Sequence, residues 1–411
     1  MKKLFYLFMA ALTIVSCADD KVVNVTVSNG TGIDRNDEIV EISMEEVASK
    51  LQMDDTADII VLDETNQQVP YQTTYDGKLI FPISVKANQQ ASYSIKVGTP
   101  VAFDVRACGK HYPERVDDIA WENDRIAFRA YGPALQATGE KAYGYDVWVK
   151  SVEEPVVEER YAMELNPETL AKIDSLKKVD PEAAKALRAE TSYHVDHGNG
   201  LDCYKVGPTL GGGTAALYVN NEIIYPYCYK TYDILDNGPL RFTVKLTYNP
   251  LTVNNNSNIV ETRVISLDKG SQLNKAVITY SNTNEVMPVV TGIVLHEPNG
   301  GQNAANAEKG YIAYADPTDN VNNNNGTIYV GAVFPSKVTE AKVALFPEKE
   351  AKERGADGHV LAVSDYAPNS GYVYYFGAGW SKYGFENMQA WNNYLENYAE
   401  RVRNPLTVEV K

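Results

Sequence analysis

Val22-Val23-Asn24-Val25-Thr26-Val27 decides the fold class of this chain. Its residues alternate in character and favour extended backbone, and a period of two sends successive side chains to opposite faces of a strand. The same reading extends outward. Ile59 to Leu62 is a short apolar strand, and Leu79-Ile80-Phe81-Pro82 follows the turn Tyr75-Asp76-Gly77-Lys78. Ala91-Ser92-Tyr93-Ser94-Ile95-Lys96-Val97 alternates again and stops at Gly98-Thr99-Pro100. Short strands parted by turn signals predict a small immunoglobulin-like β-sandwich over residues 17–99, with Met44 to Leu51 as its one helix.

Residues 100–411 are again strand-dominated and hold all four tryptophans, Trp121, Trp148, Trp380 and Trp391. Asn166-Pro167-Glu168 offers an N-cap, a first-turn proline and an early acid, and Asp180-Pro181 restarts the pattern. These signals predict a helical insertion over residues 166–190. A last helix is expected from about 385 to 401, with Met388, Trp391, Leu395 and Tyr398 along one face. No blade-length repeat appears, so the expectation is mainly β: one large two-sheet supersandwich rather than a propeller.

The first residues carry an address. Lys2 and Lys3 precede an apolar run over residues 4–15, and Ile14-Val15-Ser16-Cys17 closes it as a lipobox. Residues 1–16 therefore read as a signal peptide and Cys17 as the lipidated residue of a cell-envelope lipoprotein, in the periplasm or at the outer-membrane surface. Ala18-Asp19-Asp20 resembles a surface-export signal. The lipid is the one membrane attachment expected. Cys108, Cys203 and Cys228 remain, an odd number that allows one disulfide without choosing its partners, or free buried thiols in a domain large enough to need no staple. The net charge of −16 argues against nucleic acid and requires any acidic ligand to meet a local group of Arg and Lys. The 28 tyrosines, against 10 phenylalanines, suit a sheet with a wet concave face.

Three clusters carry candidate chemistry. Residues 193–205 hold His194, Asp196, His197, Tyr204 and Lys205 among glycines that permit unusual backbone angles. Three readings stay open for it: a divalent-metal set with His296 as a distant third imidazole, a hydrogen-bonded loop corner, or an acid/base pair tuned by the carboxylate. The second cluster runs from Trp121 to Pro133. Alternation there would put Asn123, Arg125, Ala127, Arg129 and Tyr131 on one face, with Asp124 beside them, either as a cradle for a carboxylated sugar or as a solvated sheet face with surface ion pairs. In the third cluster two readings stay open: Gly377-Ala378-Gly379 leaves Trp380 free to stack on a pyranose beside Lys382, or Trp380 is a core tryptophan.

The same stretches carry a resemblance. Ala120-Trp121-Glu122-Asn123-Asp124-Arg125-Ile126-Ala127-Phe128-Arg129, Gly144-Tyr145-Asp146-Val147-Trp148, the run from Asp196 to Pro208 and Gly377-Ala378-Gly379-Trp380-Ser381-Lys382 are similar to the domain-of-unknown-function family 4861 of polysaccharide-degrading bacteria. The likeness spans most of residues 25–411. It implies a galactose-mutarotase-like larger domain, an association with pectin- or ulvan-type uronic-acid degradation, and oligosaccharide dehydration in part of the family. Asn199 stands where the resemblance leads one to expect an acid.

The expected function is a lyase-type enzyme acting by dehydration or β-elimination on uronic-acid-containing oligosaccharides. Removing a proton next to a carboxylate needs a charge neutraliser, a base and an acid. Arg125, with Arg129 behind it, would neutralise; His197 or His194 would be the base, oriented by Asp196; Tyr204 or Tyr131 would be the acid. Trp121 and Trp380 would stack on the sugar, and Asn123, Asp124, Lys205 and Lys382 would bind it. No cofactor is expected, and a divalent metal stays open. A non-catalytic surface glycan-binding lipoprotein and a mutarotase-like hydrolase or epimerase are the alternatives.

Overall fold

The computed structural model describes residues 21–54, 57–319 and 321–411. Cys17 and the expected signal peptide lie outside the described residues. The alternation at the start of the chain does what its period requires. Val23, Val25 and Val27 of the strand Val22–Ser28 are fully buried and their neighbours are not. This strand pairs with Gln90–Val97, and that with Ile59–Leu62, in one sheet of a small sandwich. Arg35–Ser43 and Lys78–Val85 form the facing sheet, and Phe81, Ile83 and Ile95 fill the space between. The helix Met44–Leu51 is capped by the Ser43 side chain, which accepts from the Glu46 N–H, and drops Val47 and Leu51 into the same core. The last strand, Thr407–Val410, returns to add itself beside Val22–Ser28, with Val410 opposite Val25.

The larger unit is mainly β, as expected, and is a supersandwich. A nine-stranded antiparallel sheet includes Arg241–Tyr248, Asn256–Asp268, Leu273–Ser281, Tyr372–Trp380, Ile328–Val333 and Tyr311–Asp316. Two five-stranded sheets contribute with its inner face to one continuous core. The first runs Ala107–Tyr112, Asp118–Asn123, Ile126–Ala130, Asp146–Lys150, Gly200–Asp202; the second contains Gly212–Val219, Met287–Leu295 and Gly358–Tyr366. A bridge between Tyr145 and Gly211 stitches these two sheets edge to edge.

The expected helices appear, and Val157–Glu164 adds one that no capping side chain announces. Asn166 and Asp180 cap Pro167–Val179 and Pro181–Thr191, each accepting a backbone N–H three residues on. The final helix, Met388–Arg403, lays Met388, Trp391, Leu395 and Ala399 on the outer face of the nine-stranded sheet. Among the described residues no helix is long and apolar enough to cross a membrane, and Cys108, Cys203 and Cys228 are unpaired thiols. Trp391 has no exposed surface and its indole N–H donates to the Val330 carbonyl at 3.2 Å. Trp391→Ala is expected to destabilise the chain by about 3–5 kcal/mol, read as a lowered urea midpoint; an unchanged midpoint would mean that the helix is not part of the cooperative unit.

Candidate active site

The first five-stranded sheet presents an unusual polar row on the face away from the main core. Asp118, Arg129, Asp146 and Asp202 come from four adjacent strands and are all buried. The Arg129 guanidinium reaches Asp202 at 2.9 Å and Asp118 at 3.5 Å and is hydrogen-bonded to Asp146. Tyr161 donates to Asp118 at 3.0 Å, and the Trp148 indole N–H donates to Asp146 at 3.0 Å. Three carboxylates around one guanidinium cannot all be charged cheaply. Burial, then the Asp146 charge, pushes the Asp202 carboxyl well above its ordinary range against the pull of Arg129. Burial raises Asp118 as well.

Beyond Asp202 the chain enters a wall where the ends of all three large-domain sheets meet. The Tyr204 ring packs edge-on against His296, with centroids 6.2 Å apart. His296 follows the strand Met287–Leu295, and its Nδ1 lies 2.6 Å from Asp316, the last residue of Tyr311–Asp316. An Nδ1–H donating to a buried carboxylate leaves the lone pair on Nε2. That Nε2 and the Tyr204 hydroxyl are both buried without a protein partner. Burial, and next the Asp316 charge, pushes the Tyr204 phenol well above its ordinary value, so it keeps its proton. Tyr131 is raised for the same first reason, and then by Asp146. Thr318, a β-branched residue at φ +73°, turns the chain between Asp316 and Asp319, a backbone state that costs about 1–3 kcal/mol. The Asp319 N–H donates to the Cys203 carbonyl at 2.9 Å and thereby ties that turn to the Tyr204 segment.

Several sequence expectations are corrected here. The second cluster is a hairpin, not one alternating strand: Asp118–Asn123 ends, Asp124 and Arg125 turn, and Ile126–Ala130 begins. Asn123 is consumed by that turn, donating to the carbonyls of Asp268 and Ser271 and accepting from the N–H groups of Arg125 and Ile126. Asp124 is buried and accepts from Gly270 N–H at 2.6 Å. Arg125 therefore sits at the hairpin tip, 3.4 Å from Asp124, and not in front of Arg129. Trp121 is 0% exposed, between Phe128 and Phe242, and offers no face to a sugar. Trp380 lies on the same rung as Asp316, with Ile328 between them, but is 3% exposed and donates to the Asn325 carbonyl. Lys382 is exposed above the Trp380 ring, 5.6 Å from its centroid.

In the glycine-rich cluster the chain does bend, with Gly198 and Gly200 at φ +94° and +98°. Asp196, however, accepts from the N–H groups of Gly198 and Gly200 and orients no imidazole. His197 is exposed and its Nε2 is 3.0 Å from the Ser192 carbonyl. His194 reaches the edge of the site, with Nδ1 2.9 Å from the Asp202 carbonyl and 3.7 Å from its carboxylate. Lys205 is an exposed rim residue donating to the Gly355 carbonyl. His194, Asp196, His197 and His296 do not converge, and among the described residues no three His, Cys, Asp or Glu side chains are grouped to hold a metal ion.

The described geometry meets known proteins at the level of family and fold. The family model "Domain of unknown function (DUF4861)" matches residues 27–408. This chain belongs to that family. A relative, "Uncharacterized protein P7" of Formosa agariphila, is 27% identical, and the match covers 99% of each chain. Among solved structures, a glycosyl hydrolase family 38 protein of Enterococcus faecalis shares the fold at a TM-score of 0.50 and 11% identity, covering 95% of this chain and 47% of that one. An alpha-mannosidase of Enterococcus faecalis V583 gives 0.46 and 11%, covering 95% and 46%. The chain thus spans about half the length of these solved structures, and the likeness to the family 38 protein is one of fold.

The raised Asp202 sets a pH dependence. Above the ordinary carboxyl value of 3.8 the folded chain still holds a proton that the unfolded chain has released. The stability tied to that proton is therefore full below this value and is lost as pH rises toward the folded value. The urea midpoint of Asp202→Asn is expected to fall less steeply than wild type from about pH 4 upward; parallel curves would show that Asp202 titrates normally.

Proposed function

We propose that this protein is a carbohydrate-active enzyme that performs β-elimination or dehydration on oligosaccharides containing uronic acid, and that Cys17 anchors it in the cell envelope. The observation that carries the reading is the His296 Nε2, unpartnered and fixed by Asp316, across from the unpartnered, protonated Tyr204 hydroxyl. A base and an acid on neighbouring side chains are what an elimination requires. His296 takes the proton from the carbon next to the substrate carboxylate. The electron pair left behind forms the carbon–carbon double bond as the carbon–oxygen bond one atom further breaks. Tyr204 protonates the departing oxygen, which leaves as water or as the next sugar's hydroxyl. The proton on His296 and the deficit on Tyr204 are then exchanged with solvent.

The substrate carboxylate is met by the protonated Asp202, with Arg129 supplying positive charge one layer behind and Tyr131 beside it. This arrangement supports the expected chemistry with a different base from the histidines of the 193–205 cluster. Its substrate class rests on the family resemblance and on the need of this elimination for an acidified carbon.

Carboxylated oligosaccharides are expected to give a rise in absorbance from the new conjugated double bond. His296→Ala should cut that rate by roughly 10²–10⁴-fold, and Asp316→Asn and Tyr204→Phe should also reduce it, while His197→Ala stays near wild type. Full activity in a folded His296→Ala variant would sink the mechanism. Shortened products without the chromophore would indicate hydrolysis, and binding with no product a glycan-binding lipoprotein. For the anchor, Cys17→Ser is expected to move the protein from the membrane to the soluble fraction of the envelope; retention with the membrane would refute lipidation as the attachment.

A further inference from the structure

The nine-stranded sheet has a second face, and that face holds a cleft of about 350 Å³ between the N-terminal sandwich and the helix Met388–Arg403. Alternation along Tyr372–Trp380 separates the two faces: Tyr374, Phe376 and Trp380 point into the main core, and Tyr375 points the other way. The cleft is therefore across the sheet from Tyr204 and His296. Its aromatic lining consists of Tyr375, Tyr394 and Tyr398, all partly exposed, with the rings of Tyr375 and Tyr398 5.2 Å apart at 62°.

Four carboxylates line the cleft, each in an ion pair although two of them share one cation, and of its four lining cations two have no ion-pair partner among the described residues. Asp37 is paired with Lys269, Glu38 with Arg35 at 2.9 Å, and Glu41 and Asp268 share Arg241 at 2.6 and 2.5 Å. Lys275 and Arg401 line the cleft and make no ion pair or hydrogen bond among the described residues. The Arg401 Nε is also shielded from solvent without a partner. Lys275 stands directly opposite Tyr375 in the ladder, so an ammonium and a phenol ring share one face of the floor. Arg125, at the tip of its hairpin, adds a further positive influence on Tyr394.

We propose that this cleft is a second, non-catalytic binding site for a carboxylated polysaccharide chain. Tyrosine rings take the apolar faces of pyranose rings while their hydroxyls stay wet. A guanidinium and an ammonium that make no ion pair are the groups that recognise a sugar carboxylate. On a chain of net charge −16, two unpaired cations beside three tyrosines are a local exception that a polyanion can use. The site shares with the proposed function only its class of ligand, and would hold polymer near an active site on the opposite face.

Affinity electrophoresis of the full chain through gels containing polygalacturonate tests it. Wild type and His296→Ala are expected to be retarded alike, and neither by neutral hydroxyethylcellulose. A Lys275→Ala/Arg401→Ala double variant should bind about tenfold more weakly or worse, yet unfold at the wild-type urea midpoint and turn over short oligosaccharides as wild type does. Equal retardation of the double variant, no retardation of wild type, or loss of retardation in His296→Ala would each overturn the inference. Retardation that depends on Lys275 and Arg401 in a chain without turnover would uphold the cleft while removing the proposed catalysis.

Discussion

The burial of one guanidinium among three carboxyls is the constraint on which the site is built. Arg129, Asp118, Asp146 and Asp202 come from four neighbouring strands, so their contacts fix the register of the first five-stranded sheet from its polar side. Taking such groups out of water is expensive, and removing one partner of a buried pair typically costs about 3–5 kcal/mol. The cluster is tolerable because the Asp202 proton lowers its charge and because Tyr161 and Trp148 each donate a hydrogen bond to one of the other two carboxyls, Asp118 and Asp146. The short edge strand Gly200–Asp202 is thereby held at both ends, by Arg129 inside and by the Arg160 hydrogen bonds to Asn199 and Gly200 outside. Tyr204 lies two residues further on, so its position against His296 follows from the anchoring of Asp202.

What could be read from the sequence is what local forces decide. The strand Val22–Ser28 shows its buried face by alternation, and the helices after Asn166 and Asp180 begin at side chains that cap their own first turns. Each outcome depends on residues within a few positions of one another. Whether a strand's aromatic faces core or solvent is a different kind of question, because the answer belongs to whichever sheet packs against it. Trp121 had an open face only as long as Phe242, more than a hundred positions away, was not in view. The hairpin at Asp124 was legible in principle: Asn123-Asp124 is a pair of turn-forming side chains, and Asn123 does bond the backbone two residues on.

The glycine-rich cluster illustrates why density of reactive side chains is a poor guide to chemistry. A loop with few backbone partners must satisfy its N–H and C=O groups locally, and short polar side chains are the means. Asp196 spends its carboxylate on two glycine N–H groups, and His194 and His197 spend ring nitrogens on carbonyls. His296 and Asp316 are separated by twenty positions, one just past a strand of one sheet and the other ending a strand of another, so no spacing rule pairs them. The signal available was weaker: Asp316 closes a strand, Tyr311–Asp316, in which every residue is buried, and an acid inside such a strand must have a partner.

That requirement can be carried one step further at the site itself. A buried polar atom without a partner costs about 1–3 kcal/mol, and Tyr204 Oη, His296 Nε2 and Thr318 Oγ1 lie along one short stretch of wall in that state. Thr318 adds a strained backbone on the same turn. A chain selected for stability alone would replace Tyr204 by phenylalanine and lose nothing in packing. The two orphaned groups are also of opposite proton affinity, one holding a proton because burial and then Asp316 keep it there, the other holding a lone pair because Asp316 takes its N–H. Asp316 thus contributes to both states, and the arrangement returns its cost only when a molecule that must give up one proton and accept another reaches both groups.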